Sequence, residues 1–237
     1  MHTSHNSEAL SLLRSLIREA IRTLPGSEKF NMRQFSSLES VSDMLKYASE
    51  RLQPLGQEGS ARRAFLLSSG DVIKISLNSK GVAQSKHETK LSDMAGLSAS
   101  EPMITNVRDH DSKFRWIIAE LVRPASDADE FESLSGMPWT DFREGIIALG
   151  FPDRPPLQFK EREFLDRALK LIESGQLHYG DLVSLEHWGV TTDRRLVLLD
   201  YGTSKEIWRD MYGGTDVRPD KASTAPRRKR PAAPERS

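Results

Sequence analysis

His178-Tyr179-Gly180-Asp181-Leu182, followed by Leu198-Leu199-Asp200-Tyr201-Gly202, are the two segments on which the reading of this chain turns. Asp200 comes nineteen residues after Asp181, and each aspartate sits at the edge of a short apolar stretch. Carboxylates so placed can divide labour. One accepts a proton from a hydroxyl, and the other holds a metal on phosphate oxygens. The plainer readings are an N-cap for Asp181 and a turn residue for Asp200.

The composition sets the limits within which such a site must work. A chain of 237 residues suits one large domain or two small lobes and can bury a real core. Cysteine is absent, which excludes disulfides and thiolate metal sites and points to a reducing cytoplasm. No apolar run approaches the length of a membrane span, and Met1 to Ser7 carry no signal-peptide core, so no membrane association is expected. Net charge is zero but unevenly spread. Arg218 to Ser237 hold seven Lys or Arg and two acids, leaving the tail at +5 and the body at −5. The tail also holds Pro219, Pro226, Pro231 and Pro234 and no large apolar residue, so it reads as disordered. Arg227-Arg228-Lys229-Arg230 suits weak contact with nucleic acid or an acidic partner, or simply a solvated tail.

Outward from the two aspartates, the pattern separates into four regions: 1–53, 54–122, 123–212 and 213–237. In the first, Leu10, Leu13, Ile17, Ile21 and Leu24 recur at helical spacing, predicting a helix from about Ser7 to Leu24. A second helix is expected from Ser36, with Ser36 and Glu39 as a capping box and Leu38, Val41, Leu45, Ala48 and Leu52 as its buried stripe. In the second region, Arg63–Leu67 and Val72–Leu77 read as strands joined at Ser69-Gly70-Asp71. A helix over Val82–Met94 and a strand over Phe114–Val122 follow. A hinge is placed near Pro124, where the chain turns acidic. In the third region, Phe164, Leu165, Ala168, Leu169 and Ile172 mark a helix ending at Gly175. Trp188-Gly189-Val190 and Leu196–Leu199 form a hairpin turning at Thr192-Asp193.

Three further features lie upstream of the aspartates. Gly56 and Gly59, in Leu55-Gly56-Gln57-Glu58-Gly59, let backbone approach a ligand such as phosphate, or merely make a turn. Lys74 lies within Val72-Ile73-Lys74-Ile75, and alternation puts it on the same face as Val72. An ammonium there is costly to bury unless phosphate or a carboxylate meets it, or else it points to water from an edge strand. Glu88 follows Lys74 by fourteen residues, on the next helix, within reach of that lysine or as one more exposed acid. His87 reads as a surface residue, without a second histidine at metal-binding spacing.

The order of these parts resembles a protein kinase-like fold over roughly residues 55–205. The resemblance implies an α+β, two-lobed architecture: a strand-rich N-lobe, a truncated helical C-lobe, two extra N-terminal helices and a disordered C-terminal tail. It implies ATP and Mg2+ as cofactors and an unknown phospho-acceptor or protein partner. Gly56 and Gly59 would cover the phosphates, Lys74 would hold the α- and β-phosphates, and Val72 would roof the adenine. Glu88 would pair with Lys74, and Glu120 to Val122 would form the adenine-binding hinge. Asp181 would be the catalytic aspartate and Asp200 the magnesium aspartate, in an Asp-Tyr-Gly version of Asp-Phe-Gly.

The chain departs from that pattern at several points. Glu58 stands where the middle glycine belongs, and His-Tyr-Gly-Asp is one residue longer than His-x-Asp. The metal-binding asparagine is replaced by Glu186 or His187, of which Glu186 is the better magnesium ligand. No Ala-Pro-Glu motif follows Gly202, and little folded chain is expected beyond it. Gly81-Val82-Ala83-Gln84, His187-Trp188-Gly189-Val190 and Leu199-Asp200-Tyr201-Gly202 are also similar to small kinase-like proteins of tailed bacteriophages. That would place the protein in a host cytoplasm, as an active phosphotransferase or as a pseudokinase that binds without turnover.

Overall fold

The computed structural model describes residues 29–56, 59–96, 103–148 and 162–213. The helix expected over Ser7–Leu24, the Glu58 position and the basic tail from Arg218 lie outside them. The described chain is α+β, with two antiparallel sheets and seven α-helices among the described residues. None of those helices is long and apolar enough to cross a membrane.

The larger sheet has five strands in the order β1-β2-β3-β5-β4. These are β1 (Gln53–Leu55), β2 (Arg62–Leu66), β3 (Asp71–Ser76), β4 (Val107–His110) and β5 (Trp116–Glu120). The β2–β3 hairpin closes at Gly70, whose φ of 85° is open to glycine and strained for other residues. Phe114 adopts φ 54° in the turn after β4, which is why β5 begins at Trp116 and not at Phe114 as the pattern suggested. The short strands β1 and β4 carry no clear alternation: β4 reads Val-Arg-Asp-His and is mostly exposed.

Alternation gives the sheet two chemically different faces. Phe65, Ile73 and Ile75 point to one side, where with Trp116 they meet Phe35, Met44, Tyr47 and Ala48 in a single apolar cluster. Those partners come from α1 (Met32–Ser36) and α2 (Val41–Arg51). The expected single helix from Ser36 is therefore two helices. Ser36 ends the first, and Ser40, not Ser36, caps the second by accepting from the Asp43 amide. Glu39 precedes that cap, so no Ser36–Glu39 box forms. Arg115 ties the joint between α1 and α2 to the sheet, donating to the carbonyls of Leu38 and Glu39 at 3.0 and 2.8 Å.

Val72, Lys74 and Ser76 face the other side, toward α3 (Ser79–Gly96). This helix begins three residues before the expected Val82. Its buried face is mostly polar: Gly81, Gln84, Ser85, Glu88, Thr89 and Ser92, with Leu91. Each hydroxyl there is satisfied. Ser85 Oγ lies 3.1 Å from Ser76 Oγ, Thr89 donates to the Ser85 carbonyl, and Ser92 joins Asn106. Gly81 lets α3 start against β2, because a Cβ there would lie 2.1 Å from the Ala61 carbonyl oxygen.

After β5, the chain passes through Leu121 and Val122 into β6 (Arg123–Pro124), the edge of a second sheet, β6-β7-β8. The hairpin of β7 (Trp188–Val190) and β8 (Leu196–Leu198) forms in the expected place. The acidic stretch past Pro124 folds as α4 (Ala128–Ser135), capped by Asp127. With α5 (Trp139–Ala148) and α6 (Glu163–Gly175) it surrounds Trp188, whose ring contacts those of Phe131, Phe142 and Phe164. Beyond Gly202, where little structure was expected, α7 (Lys205–Tyr212) forms under a Ser204 cap.

Phe35 is fully buried between α1, α2 and the sheet. Phe35→Ala is expected to cost about 3–5 kcal/mol in urea unfolding. A loss below 1 kcal/mol would show that α1 does not contribute to this core.

Candidate functional site

Glu88 is the centre of the site, and its side chain has no exposed surface. Two cations of the larger sheet meet it. Lys74 Nζ lies 2.9 Å from Oε2, and Arg62 Nη2 lies 2.7 Å from Oε1. The register explains the convergence. In the β2–β3 ladder Arg62 stands opposite Ser76 and Ala64 opposite Lys74, so Arg62 and Lys74 share one face. Ala64, between them, is too small to obstruct either. Lys74 therefore does not point to water, and Glu88 is not an exposed helix acid; the sheet partner that each needs is the other.

Both cations also reach the Asp-Tyr-Gly segment. Lys74 Nζ donates to the carbonyl oxygen of Leu199 at 3.1 Å, and Arg62 Nη2 donates to Asp200 Oδ1 at 2.8 Å. Gly202 permits this approach, since a Cβ there would lie 2.8 Å from Gln84 Cβ and 3.1 Å from Glu88 Oε1. Tyr201, fully buried, anchors the segment from the far side by donating to the Thr105 carbonyl. Asp200 itself remains about half exposed, at 48%. Burial pushes its pKa up, but the positive charges of Arg62, Lys74 and His187 outweigh this and hold it below the usual carboxylate range.

Asp181 lies in the 3-10 turn Tyr179–Val183, positioned by the Asp181 amide donating to the His178 carbonyl and by buried Leu182. Its environment is the opposite of Asp200's. Burial, then the charge of Asp200, push its pKa up to about 8, against the opposing pull of a Thr203 hydrogen bond and of Arg62. Its Oδ2 is buried and has no hydrogen-bond partner among the described residues. Adjacent carboxyl groups with pKa values driven apart are the arrangement in which one stays ionised while the other carries a proton near neutrality.

The positions expected to replace the asparagine separate clearly. Glu186 is exposed, and its carboxylate accepts from Ser184 Oγ at 3.1 Å. His187 turns inward: its Nδ1 lies 2.8 Å from the Asp181 carbonyl oxygen, and its positive form lowers the pKa of Asp200. Because a carbonyl only accepts, that contact keeps a proton on Nδ1.

Gly56, with φ 69°, follows β1, and Gly59 precedes β2 and Arg62. Val72 is buried on the Lys74 face. Glu120 closes β5, its amide already donating to the Asn106 carbonyl at 2.9 Å, and Val122 is buried where the chain enters the second sheet. His87, expected at the surface, is partly buried with Nε2 enclosed, and burial lowers its pKa.

Two participants were not anticipated. Arg62 closes the ion network, and the only sequence signal was its parity with Lys74 across a hairpin whose register was not fixed. Tyr212, on α7, accepts at the rim: Gln84 Nε2 donates to its hydroxyl at 3.0 Å, and Asp200, Arg62 and Asp181 all act on it electrostatically. A scan against models of known protein families finds none that matches the chain, and a search of curated proteins finds no matching relative.

Two outcomes test this geometry. Glu88→Gln leaves Lys74 without its carboxylate partner and Arg62 with Asp200 alone, and is expected to cost about 3–5 kcal/mol in denaturant unfolding. Asp181 behaves in the opposite sense. The folded state keeps its proton up to about pH 8, whereas an unfolded aspartate loses it near pH 4, at about 3.9. This group therefore makes stability fall as pH rises through that window. Asp181→Asn should raise the melting temperature near pH 8, with little change near pH 4; a lower melting temperature at pH 8 would show that Asp181 is not held protonated.

Proposed function

We propose that this chain is an ATP-dependent, kinase-like phosphotransferase that moves the γ-phosphate of MgATP to a hydroxyl acceptor. The observation that carries the reading is the three-way contact of Lys74 Nζ with Glu88 Oε2 and the Leu199 carbonyl, directly before Asp200. It draws a sheet cation, a helix acid and an Asp-aromatic-Gly segment together, in the order in which phosphoryl-transfer sites of this type use them. In this reading the five-stranded sheet with α3 is the N-lobe, the Trp188-centred part is the C-lobe, and Glu120 to Val122 form the hinge.

The donor set suits magnesium in one respect. Asp200 offers a carboxylate on a side chain about half exposed, and magnesium in nucleotide sites commonly takes one or two carboxylates with phosphate oxygens and water. Asp200, with Glu186 or His187, would hold it, and the ion would neutralise charge on the β- and γ-phosphates. The chain's own residues do the rest. Lys74 fixes the α- and β-phosphates, Gly56 and Gly59 cover them, and Val72 covers the base. Asp181 orients the acceptor hydroxyl and takes its proton once its own has been lost. Most of the rate enhancement then comes from positioning and charge neutralisation.

A second reading is favoured by one observation. Arg62 occupies Asp200 Oδ1, and Asp181 favours its protonated form, so neither acid is in its catalytic state here. A pseudokinase that binds nucleotide without turnover fits this arrangement.

Incubation with γ-labelled ATP, magnesium and a panel of hydroxyl acceptors decides between them. The phosphotransferase reading expects label on the protein or an acceptor, lost by at least about 100-fold in Asp181→Asn and Lys74→Met. Melting-temperature elevation by MgATP without label transfer selects the pseudokinase. No response of any kind to ATP removes both.

A further inference from the structure

Arg62 has more donors than its partners use. Nη2 serves both Glu88 Oε1 and Asp200 Oδ1, at 2.7 and 2.8 Å. Nη1 is buried and has no hydrogen-bond partner among the described residues, although the side chain as a whole is only 9% exposed. A buried donor on a charged group is among the most expensive groups to leave unmade, and folded proteins rarely carry one without a use for it. Neighbouring side chains do not supply the acceptor. Glu88 Oε2 accepts from Lys74, Glu88 Oε1 meets Nη2 as an ion pair without hydrogen-bond geometry, Ala64 has nothing to offer, and Asp181 Oδ2 is buried with no hydrogen-bond partner among the described residues. Three buried polar atoms without a hydrogen-bond partner among the described residues thus lie in one site, Arg62 Nη1, Glu88 Oε1 and Asp181 Oδ2, next to the Lys74 ammonium.

We propose that Arg62 is an anion-binding residue of this site, whose Nη1 takes a phosphate oxygen of a di- or triphosphate while Nη2 keeps hold of Glu88. This rests on the phosphotransferase or pseudokinase reading for the identity of the nucleotide, but not for the anion itself. A guanidinium suits the task because its donors lie in one plane and can engage two acceptors at once, which a lysine at the same place cannot do. Lys74 and Arg62 would then grip the polyphosphate as a pair from one face of the sheet. Gly59, three residues before Arg62 in the chain, leads into the same end of β2.

The ligand must be an anion rich in oxygen acceptors, and adenosine, which lacks one, does not depend on Arg62. Isothermal titration of the full chain with ATP, pyrophosphate and adenosine tests this in wild type, Arg62→Lys and Arg62→Gln. The expected result is that ATP and pyrophosphate weaken about 10- to 100-fold in both variants, the factor for one charge-assisted hydrogen bond, while adenosine is unchanged. Unchanged affinity of the variants for ATP and pyrophosphate overturns the assignment of Arg62 and leaves the nucleotide reading intact. Arg62-dependent binding of pyrophosphate, with no binding of adenosine and no preference for ATP, supports Arg62 and removes the nucleotide reading. Wild type that binds none of the three overturns both. Should the variants unfold, the wild-type chain labelled with 15N at arginine answers the same question. Pyrophosphate is expected to shift the Arg62 guanidinium signal, and a signal unmoved at saturation overturns the proposal.

Discussion

A single buried carboxylate organises this molecule. Glu88 has no access to water, and an unpaired charge in that position would cost more than a small domain's entire margin of stability allows. Two cations from adjacent strands must therefore face it. To bring them there, β2 and β3 must pair in the observed register, α3 must lie across the sheet, and Gly202 must let the Asp200 segment come close. The pair adds little net stability by itself, because desolvation offsets most of the attraction. Its effect is to fix geometry, since alternatives that separate the three charges are heavily disfavoured.

The same network sets the chemistry of the two aspartates. Asp200 sits beside Arg62, Lys74 and His187 and stays ionised. Asp181 sits beside Asp200 and is buried, so it keeps a proton to higher pH. Neither property belongs to aspartate as a residue type; each follows from the burial and the charges around the carboxyl group. A change at Arg62 should therefore be felt at both, and α7 extends the cluster's reach to the Tyr212 hydroxyl.

How much of this was legible in the sequence differs by element. The β2–β3 hairpin, the β7–β8 hairpin and α6 were readable because their apolar residues alternate or recur at the period of the structure they form. Lys74 and Glu88 were identified from their spacing, and they do meet. The α1–α2 joint was misread because Ser36 and Ser40 both offer a hydroxyl ahead of an acid, and only the fold selects between them. The buried face of α3 was invisible to hydrophobic periodicity, since it consists largely of Gln, Ser, Glu and Thr satisfied by partners distant in sequence. Arg62 was missed for a related reason. Its value lies in contacts with Asp200, 138 residues away, which no local pattern encodes.

The central claim is that Lys74, Glu88 and Asp200 form the phosphate end of a nucleotide site. A crystal structure grown with a non-hydrolysable ATP analogue and manganese addresses it most directly. An anomalous manganese peak coordinated by the Asp200 carboxylate is expected, with Lys74 Nζ hydrogen-bonded to an α- or β-phosphate oxygen and still paired with Glu88. A nucleotide bound away from Lys74 and Asp200 would contradict it, as would continued absence of nucleotide at saturating concentration.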